Sequence, residues 1–374
     1  MSSSLFRPFT CRGLTLPNRF VMAPMTRSFS PDGVPGDNVA AYYERRAANH
    51  VGLILTEGTV NDRPGSANDA NFPQFHGEAA LKGWQNVVNK VHGEGGKIAP
   101  QLWHVGMVRK PGTGHNPDAQ SDSPSGVTHT GKAVMDPPSD EEVADMVSSY
   151  ARSAKSAKEL GFDALEIHGA HGYLIDQFFW DAMNKREGKY GGDLLDRAEF
   201  AGDVIRECRK AVGEDMPIIL RWSQWKQQDY KARLVETPEA MEAFLKVFVD
   251  AGVDMLHCSQ RRFWEPEFEG SNLNLAGWAK KLTGLPTISV GSVGLNGDFF
   301  GAFAGQSSEA ASLDKLYEMM DRNEFDLIAV GRALLQDPEW VTKVKEGRMD
   351  EMNCLLYTSP SPRDRTRSRM PSSA

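Results

Sequence analysis

The sequence lacks the features that mark zinc or iron–sulfur proteins, nucleic-acid-binding proteins and membrane proteins. Its four cysteines are scattered and form no CxxC pair; they are Cys11, Cys208, Cys258 and Cys354. A formal charge of −8 does not suit binding to phosphate-rich nucleic acid. No apolar run is long enough to span a bilayer, and the first residues show no basic segment followed by an apolar core. We therefore expect a cytoplasmic protein with free thiols and with no nucleic-acid or membrane partner.

Two nucleotide-binding motifs are also missing, namely the dinucleotide fingerprint GxGxxG and the phosphate loop GxxxxGK[ST]. The composition, with 40% hydrophobic and 25% charged residues, nevertheless allows a sizeable buried core. The length of 374 residues does not settle the number of domains, because barrels often fill such a length as one unit.

Short apolar runs rich in β-forming residues recur along the chain and alternate with segments of helical period. Such an alternation predicts parallel strands joined by right-handed helical crossovers. Ser139 and Glu142 form a capping box at the start of one helix, and Thr237 with Pro238 opens another. The eight predicted strands are RFVMAPM, VGLILTEG, KIAPQLWH, DALEIHGA, PIILRWS, VDMLHCSQ, PTISVGS and DLIAVGR.

We predict an α/β fold, a single-domain (β/α)8 TIM barrel over residues 1–350, and an open doubly wound sheet is the alternative. Closure is favoured because polar residues follow nearly every predicted strand, and in a barrel the carboxyl ends of the strands meet at one mouth. These polar residues are Thr26, Glu57, Gln101, His168, Arg221, Ser259, Ser292 and Arg332.

Four segments lie outside this alternation. FRPFTCRGLTLPNRF predicts a short hairpin that plugs the amino-terminal end of the barrel. The loop from Lys110 to Pro138 follows the third strand and is interpreted either as a lid over the mouth or as a passive surface loop. The glycine-rich excursion at 293–308 has no assigned role. The composition of residues 351–374 predicts disorder. This segment is interpreted either as a non-native extension, because it resembles translated adapter sequence, or as a basic nucleic-acid-binding tail.

The segment DALEIHGAHGYLIDQFF carries the strongest chemical signal, because His168, His171 and Tyr173 leave one strand together. Two imidazoles can donate hydrogen bonds to a carbonyl or nitro oxygen and so polarise a conjugated double bond. A phenol that is still protonated at neutral pH can then deliver a proton to the carbon. The alternatives are two polar residues at a helix start, or two ligands of a metal-dependent hydrolase with Glu166 and Cys258 as further ligands.

The ends of the seventh and eighth strands read SVGSVG and VGR, where barrels commonly bind phosphate. Glycines allow backbone N–H groups to approach an anion, and Arg332 adds a forked positive donor. We predict a phosphate site there, and structural glycines at tight turns are the alternative.

The motifs APMTR, QLWH, HGAHGYL, YGGD, RWS and VGR, in this order, resemble those of the Old Yellow Enzyme family from Phe6 to about Asp350. The resemblance implies non-covalent FMN across the barrel mouth. It places Ala23, Pro24, Met25 and Gly58 along the flavin ring, Thr26 at flavin O4, Gln101 at the pyrimidine edge, Arg221 at N1 and O2, and Gly291, Ser292, Gly331 and Arg332 at the phosphate.

The same resemblance implies that His168 and His171 bind the substrate oxygen and that Tyr173 donates the proton, with Thr26 tuning the flavin. NADPH or NADH would reduce FMN, and an electron-poor alkene, an α,β-unsaturated carbonyl or nitro compound, would then accept the hydride at the same site. The sequence departs from the family at Met107, where many relatives have arginine, and Trp225 is either a pocket wall or a core residue. The physiological substrate, the preferred nicotinamide and the oligomeric state, monomer or homo-oligomer, stay open.

Overall fold

A computed structural model of the chain describes residues 4–296 and 311–352. Eight parallel strands close into a barrel in chain order, with the last strand hydrogen-bonded to the first. The predicted closed barrel is therefore confirmed, and each of the eight predicted runs overlaps one strand, although three strands extend past the ends of their runs. The barrel strands are β3 (Phe20–Met22), β4 (Leu53–Val60), β5 (Ile98–Trp103), β6 (Leu165–His171), β7 (Ile218–Lys226), β8 (Met255–Ser259), β9 (Thr287–Val290) and β10 (Leu327–Val330).

Helices cover the outside of the barrel and connect successive strands. In the described part of the chain they are α1 (Asp37–Ala48), α2 (Glu78–Gly93), α3 (Asp140–Glu159), α4 (Leu174–Phe179), α5 (Leu194–Val212), α6 (Pro238–Ala251), α7 (Leu275–Thr283), α8 (Asp314–Asp321), α9 (Arg332–Gln336) and α10 (Trp340–Glu346). None of these helices has the length and apolar character needed to cross a membrane.

The helix starts follow the predicted capping chemistry. The Ser139 hydroxyl accepts from the Glu142 backbone N–H at the start of α3, and the Glu142 carboxylate accepts from the Ser139 N–H in return. The Thr237 hydroxyl caps α6 by accepting from the Ala240 N–H, and Gly252 ends that helix with a φ of 96°, a conformation that glycine adopts at low cost. The capping residues that the sequence predicts therefore fix where these crossover helices begin.

The predicted amino-terminal hairpin closes one end of the barrel. Strands β1 (Phe9–Cys11) and β2 (Leu14–Leu16) pair antiparallel, and the Gly13 N–H donates to the Asp215 carbonyl just before β7. The hairpin's Phe9, Leu14 and Leu16 pack into one apolar cluster with side chains from the barrel interior; these include Val21, Leu53, Leu55, Ala99, Ile219, Met255 and Ile288. The amino-terminal half of the barrel is therefore filled, and open space remains at the carboxyl ends of the strands.

Two β-bulges break the regular alternation of inward and outward side chains. One lies between Leu55 and Gly58 in β4, and the other lies between Gly169 and His171 in β6. A bulge inserts one extra residue, so the residues beyond it change face. At β6 this change lets His168 and His171, three positions apart, both point into the barrel mouth.

The loop from Lys110 to Pro138 follows β5 as predicted, but it does not act as a lid in this conformation. Its Asp122 carboxylate lies 2.6 Å from Arg63 Nη2 and 2.7 Å from His104 Nε2, which ties the loop to the segment after β4. None of its residues lines the cavity described below. The interpretation of this segment as a passive surface loop therefore fits the arrangement.

Two sequence-based expectations lie outside the described residues. They concern most of the glycine-rich excursion, from 297 onward, and the tail predicted to be disordered, from 353 to 374.

Substituting the cap of α3 should lower stability by a defined amount. We expect Ser139→Ala to reduce the free energy of unfolding by about 1 kcal/mol, because it leaves the Glu142 backbone N–H without its partner. Chemical denaturation followed by circular dichroism measures the change. Ser148→Ala, at an exposed position of the same helix, is the matched control and should shift the midpoint little. Equal shifts for the two variants would contradict a capping role.

Candidate active site

A cavity of about 670 Å³ opens at the carboxyl ends of the strands. It is lined by residues from β5 to β10 and from the loops that follow β3, β6, β7, β8, β9 and β10. This position is the usual place of active sites in (β/α)8 barrels. Nearly all residues that the sequence predicted for the site line it, namely Ala23, Pro24, Met25, Thr26, Gln101, His168, His171, Tyr173, Arg221, Gly291, Ser292, Gly331 and Arg332.

Glu57 and Gly58 are the exceptions, and the bulge in β4 explains both. Glu57 lies within the bulge and turns away from the mouth, and its carboxylate pairs with Arg27 at 2.8 Å in a fully buried contact against α1. A Cβ on Gly58 would lie 2.5 Å from the Trp103 ring, so this glycine packs behind the cavity wall and does not line the cavity. Glu57 therefore does not line the mouth, and the expected contact of Gly58 with the flavin stays a prediction.

The two imidazoles predicted to bind substrate lie side by side. The ring centroids of His168 and His171 are 5.1 Å apart, and the two ring planes are nearly perpendicular. Burial, reinforced by the charge of Arg221, lowers the pKa of both rings well below the ordinary value of 6.5. Because the Ala170 N–H donates to His168 Nδ1, the ring proton of neutral His168 sits on Nε2. His168 is therefore a neutral hydrogen-bond donor.

His171 is held in a backbone conformation that is uncommon for residues other than glycine, with a φ of 65°. Its N–H donates to Ser223 Oγ at 3.0 Å, its Nε2 lies 2.8 Å from Ser259 Oγ, and its ring stacks on Trp225 with centroids 4.4 Å apart. Trp225 also donates from Nε1 to the Ser259 carbonyl. The second imidazole is thus fixed from several sides, and Trp225 is a wall of the cavity.

A buried ion pair supports the turn that carries these groups. Lys226 Nζ lies 2.7 Å from Asp176 Oδ1, and both side chains are completely buried. The other oxygen of Asp176 accepts from the Gly172 N–H at 2.7 Å. This pair joins β7, α4 and the turn between His171 and Tyr173, so it fixes the spacing of the catalytic candidates.

Tyr173 lies at the edge of the cavity, and its phenol oxygen accepts one hydrogen bond. Its ring centroid lies 5.0 Å from that of His168 and 4.9 Å from that of Trp103. Gln227 donates from Nε2 to the phenol oxygen at 2.8 Å, which leaves the phenol's own O–H available to donate. Burial raises the pKa of Tyr173 above 10.0, so the phenol keeps its proton at neutral pH. Sequence reasoning missed Gln227, and it also missed Trp103 although that residue stands in the QLWH motif.

Arg221 supplies a buried positive charge at the cavity floor. It forms no ion pair with any described residue, and its Nε is buried without a hydrogen-bond partner. Burial lowers the pKa of this guanidinium, and the charge of Glu166 acts in the opposite direction. A buried donor without a partner is costly, so the site suits an anionic or acceptor-rich ligand. This observation fits the N1 and O2 edge of a flavin.

The ends of β9 and β10 form the opposite end of the cavity. Gly291 has a φ of 144°, and a Cβ there would lie 2.7 Å from the Gln260 carbonyl oxygen, so the turn requires glycine. Ser292 adopts a φ of 50°, and its hydroxyl lies 3.4 Å from Arg332 Nη2. The close backbone, the hydroxyl and the guanidinium together fit a phosphate group.

The alternative of a metal site finds no support in this geometry. Within residues 4–296 and 311–352 no three His, Cys, Asp or Glu side chains are grouped so that they could hold a metal ion. Glu166 instead binds Gln101 and His257, and Cys258 packs in the hydrophobic core outside the barrel. The two residues offered as additional ligands therefore do not join His168 and His171.

A (β/α)8 barrel whose mouth holds two neutral imidazoles, a protonated phenol and a buried guanidinium fits the class of flavin-dependent barrel oxidoreductases. Residues 4–351 match the NADH:flavin oxidoreductase / NADH oxidase family. The chain belongs to this family, which is the Old Yellow Enzyme family that the motifs resemble. FMN is accordingly its flavin.

Individual relatives agree with this assignment. An NADH oxidase from Thermoanaerobacter brockii is 33% identical over 93% of this chain and 52% of that protein, so the chain spans about half of its length. The flavin oxidoreductase hxnT of Emericella nidulans is 32% identical over 92% of this chain and 90% of that protein. A solved structure of morphinone reductase in complex with tetrahydroNAD is 28% identical and superposes with a TM-score of 0.75, covering 92% of this chain and 90% of that chain.

Removing the positive charge at the proposed phosphate-binding end of the cavity should weaken the binding of FMN. It should not weaken the binding of riboflavin, which lacks the phosphate. We expect Arg332→Gln to weaken FMN binding by at least about tenfold, because it removes a charge-assisted hydrogen bond. Flavin fluorescence quenching on titration into flavin-free protein measures both affinities. Riboflavin is the internal control and should bind wild type and variant alike, whereas an equal loss for both flavins would place the phosphate elsewhere.

Proposed function

We propose that this protein is an FMN-dependent NAD(P)H oxidoreductase that reduces the C=C bond of α,β-unsaturated carbonyl or nitro compounds. The observation that carries this proposal is the meeting of His168, His171 and Tyr173 on one cavity that also exposes Arg221. When bound, FMN would accept a hydride from the nicotinamide nucleotide and pass it to the alkene.

The imidazoles would bind the substrate oxygen. His168 offers its Nε2–H, and His171 lies beside it with Nε2 close to the Ser259 hydroxyl. A neutral imidazole carries one ring N–H, so each ring can donate one hydrogen bond to a carbonyl or nitro oxygen. Hydrogen bonds to that oxygen withdraw electron density from the conjugated double bond, and its far carbon becomes a better hydride acceptor.

Tyr173 would complete the reaction. A hydride added to the far carbon leaves negative charge on the near carbon and the bound oxygen, and a proton must then reach the near carbon. Gln227 holds the phenol oxygen while leaving the phenol proton free to transfer. The deprotonated phenol recovers a proton from water at the open side of the cavity.

The buried Arg221 at the cavity floor and the named relatives support the first half-reaction, in which a nicotinamide nucleotide would reduce FMN. Arg221 would hold negative charge that develops at the flavin pyrimidine edge. One relative is named an NADH oxidase, and the solved morphinone reductase binds tetrahydroNAD. The two half-reactions would share one cavity, so oxidised nicotinamide must leave before the alkene enters.

The first test separates the two half-reactions. Protein loaded with FMN should lose its yellow colour under anaerobic conditions with NADPH or NADH, and 2-cyclohexenone should restore the colour while being converted to cyclohexanone. Absorbance of the flavin and chromatography of the product measure the two steps. Restored colour without a reduced product, or no bleaching by either nucleotide, would reject the proposal.

Tyr173→Phe should separate proton delivery from hydride transfer to the flavin. We expect flavin reduction by NADPH to keep its rate, and re-oxidation by 2-cyclohexenone to slow by about a hundredfold or more, as for loss of a general acid. Rapid mixing of each half-reaction measures both rates. Tyr230→Phe, at another cavity-lining phenol, is the control and should leave both rates within about twofold. Unchanged re-oxidation in Tyr173→Phe would remove Tyr173 from this role.

The pKa shifts predict a flat pH profile for alkene reduction near neutrality. Imidazoles with a lowered pKa stay neutral as the pH rises from 6.5 to 8, and a phenol with a raised pKa keeps its proton over the same interval. The re-oxidation rate of pre-reduced protein, measured by rapid mixing across this interval, should therefore stay constant. A titration with its midpoint near 6.5 would show that the imidazoles are not held neutral.

A further inference from the structure

A polar network crosses the barrel interior directly below the cavity. Gln101 Nε2 donates to Glu166 Oε1 at 2.7 Å, and His257 Nδ1 lies 2.6 Å from Glu166 Oε2. Glu166 and His257 are completely buried, and Gln101 is 2% exposed. Gln101 is on β5, Glu166 on β6 and His257 on β8, and Gln101 alone of the three lines the cavity. The network therefore connects the cavity floor to a charge that ligands cannot touch.

The network fixes the orientation of the Gln101 amide. The nitrogen and oxygen of an amide lie on opposite sides of its terminal carbon, so a nitrogen that donates to Glu166 turns the oxygen away from that carboxylate. Gln101 then presents an acceptor to the cavity. A flavin pyrimidine ring carries one N–H donor between two carbonyl groups, and this acceptor matches the N–H.

His257 in turn holds Glu166. Burial lowers the pKa of His257 although Glu166 acts to raise it, so the ring is neutral. Its Nδ1–H donates to the carboxylate, and its Nε2 is buried without a hydrogen-bond partner. A ring that leaves one nitrogen unsatisfied contributes less to stability than a fully satisfied one. Its placement is therefore better explained by the orientation that it imposes on Glu166.

Glu166 also counteracts the charge of Arg221. Arg221 pairs in register with His168 on one side and with His257 on the other, so it lies at the level of the network. No carboxylate in the described part of the chain forms an ion pair with this guanidinium, and Glu166 acts on it through space, where its charge works to raise the pKa that burial lowers. The negative charge of Glu166 thus limits how strongly Arg221 can stabilise negative charge in the cavity above.

We propose that Glu166 and His257 are positioning residues that orient the Gln101 amide toward the flavin pyrimidine ring and that hold the reduction potential of bound FMN below the value Arg221 alone would give. This inference rests on the FMN binding in the proposed function, but it does not depend on alkene reduction.

Glu166→Gln is the direct test, because it removes the charge and keeps the size of the side chain. We expect reduced FMN to gain about tenfold in affinity relative to oxidised FMN, which raises the two-electron potential by about 30 mV. Equilibration with a reference dye during anaerobic reduction measures the potential. Glu57→Gln is the matched control, because it removes another buried barrel carboxylate that contacts neither Gln101 nor His257. A lower or unchanged potential in Glu166→Gln, or an equal rise in Glu57→Gln, would overturn the proposal.

Two substitutions of His257 test the positioning role if Glu166→Gln does not fold. His257→Leu removes the donor to Glu166 and should weaken FMN binding about fivefold, whereas His257→Gln retains an N–H donor and should stay within about twofold of wild type. Equal affinities for the two variants would overturn the role of His257. If the variants show these changes in potential and affinity but the protein reduces no alkene, only the proposed substrate class is rejected.

Discussion

Closure of eight parallel strands is the constraint on which the rest of this structure depends. In a closed barrel every second side chain enters a space without bulk water, so each polar group there needs a partner or a ligand. The chain divides that space into three levels. The hairpin and small or branched apolar side chains fill the lowest level, Gln101, Glu166 and His257 form a polar level above them, and the cavity occupies the mouth.

Burial then determines the chemistry at the mouth. It keeps the imidazoles of His168 and His171 neutral, keeps the phenol of Tyr173 protonated, and leaves Arg221 with an unsatisfied donor. Each of these states is one that a reductase of polarised double bonds needs. The cost is a strained turn at His171, and the buried Asp176–Lys226 pair and its hydrogen bond to Gly172 offset that cost.

The sequence predicted the barrel strands and most of the cavity-lining residues, because both follow from local signals. Apolar runs, capping residues and the HGAHGYL motif are readable without knowing what lies across the barrel. Glu57 and Gly58 do not line the cavity, because a bulge between Leu55 and Gly58 breaks the alternation of faces in β4. His257 and Trp103 were missed because their partners, Glu166 and Tyr173, lie 91 and 70 positions away in sequence. Register and long-range pairing are set by the closed sheet and not by any one segment.

We propose that two neutral imidazoles bind one substrate oxygen while the phenol faces the adjacent carbon. A crystal structure of the FMN-loaded protein soaked with 2-cyclohexenone tests it most directly. The account predicts the ketone oxygen within hydrogen-bond distance, about 3 Å, of a ring nitrogen of His168 and of His171, with the Tyr173 hydroxyl next to the alkene carbon nearer the carbonyl. A ketone oxygen bound by Arg221 or Gln227 instead, with the imidazoles turned away, would contradict it.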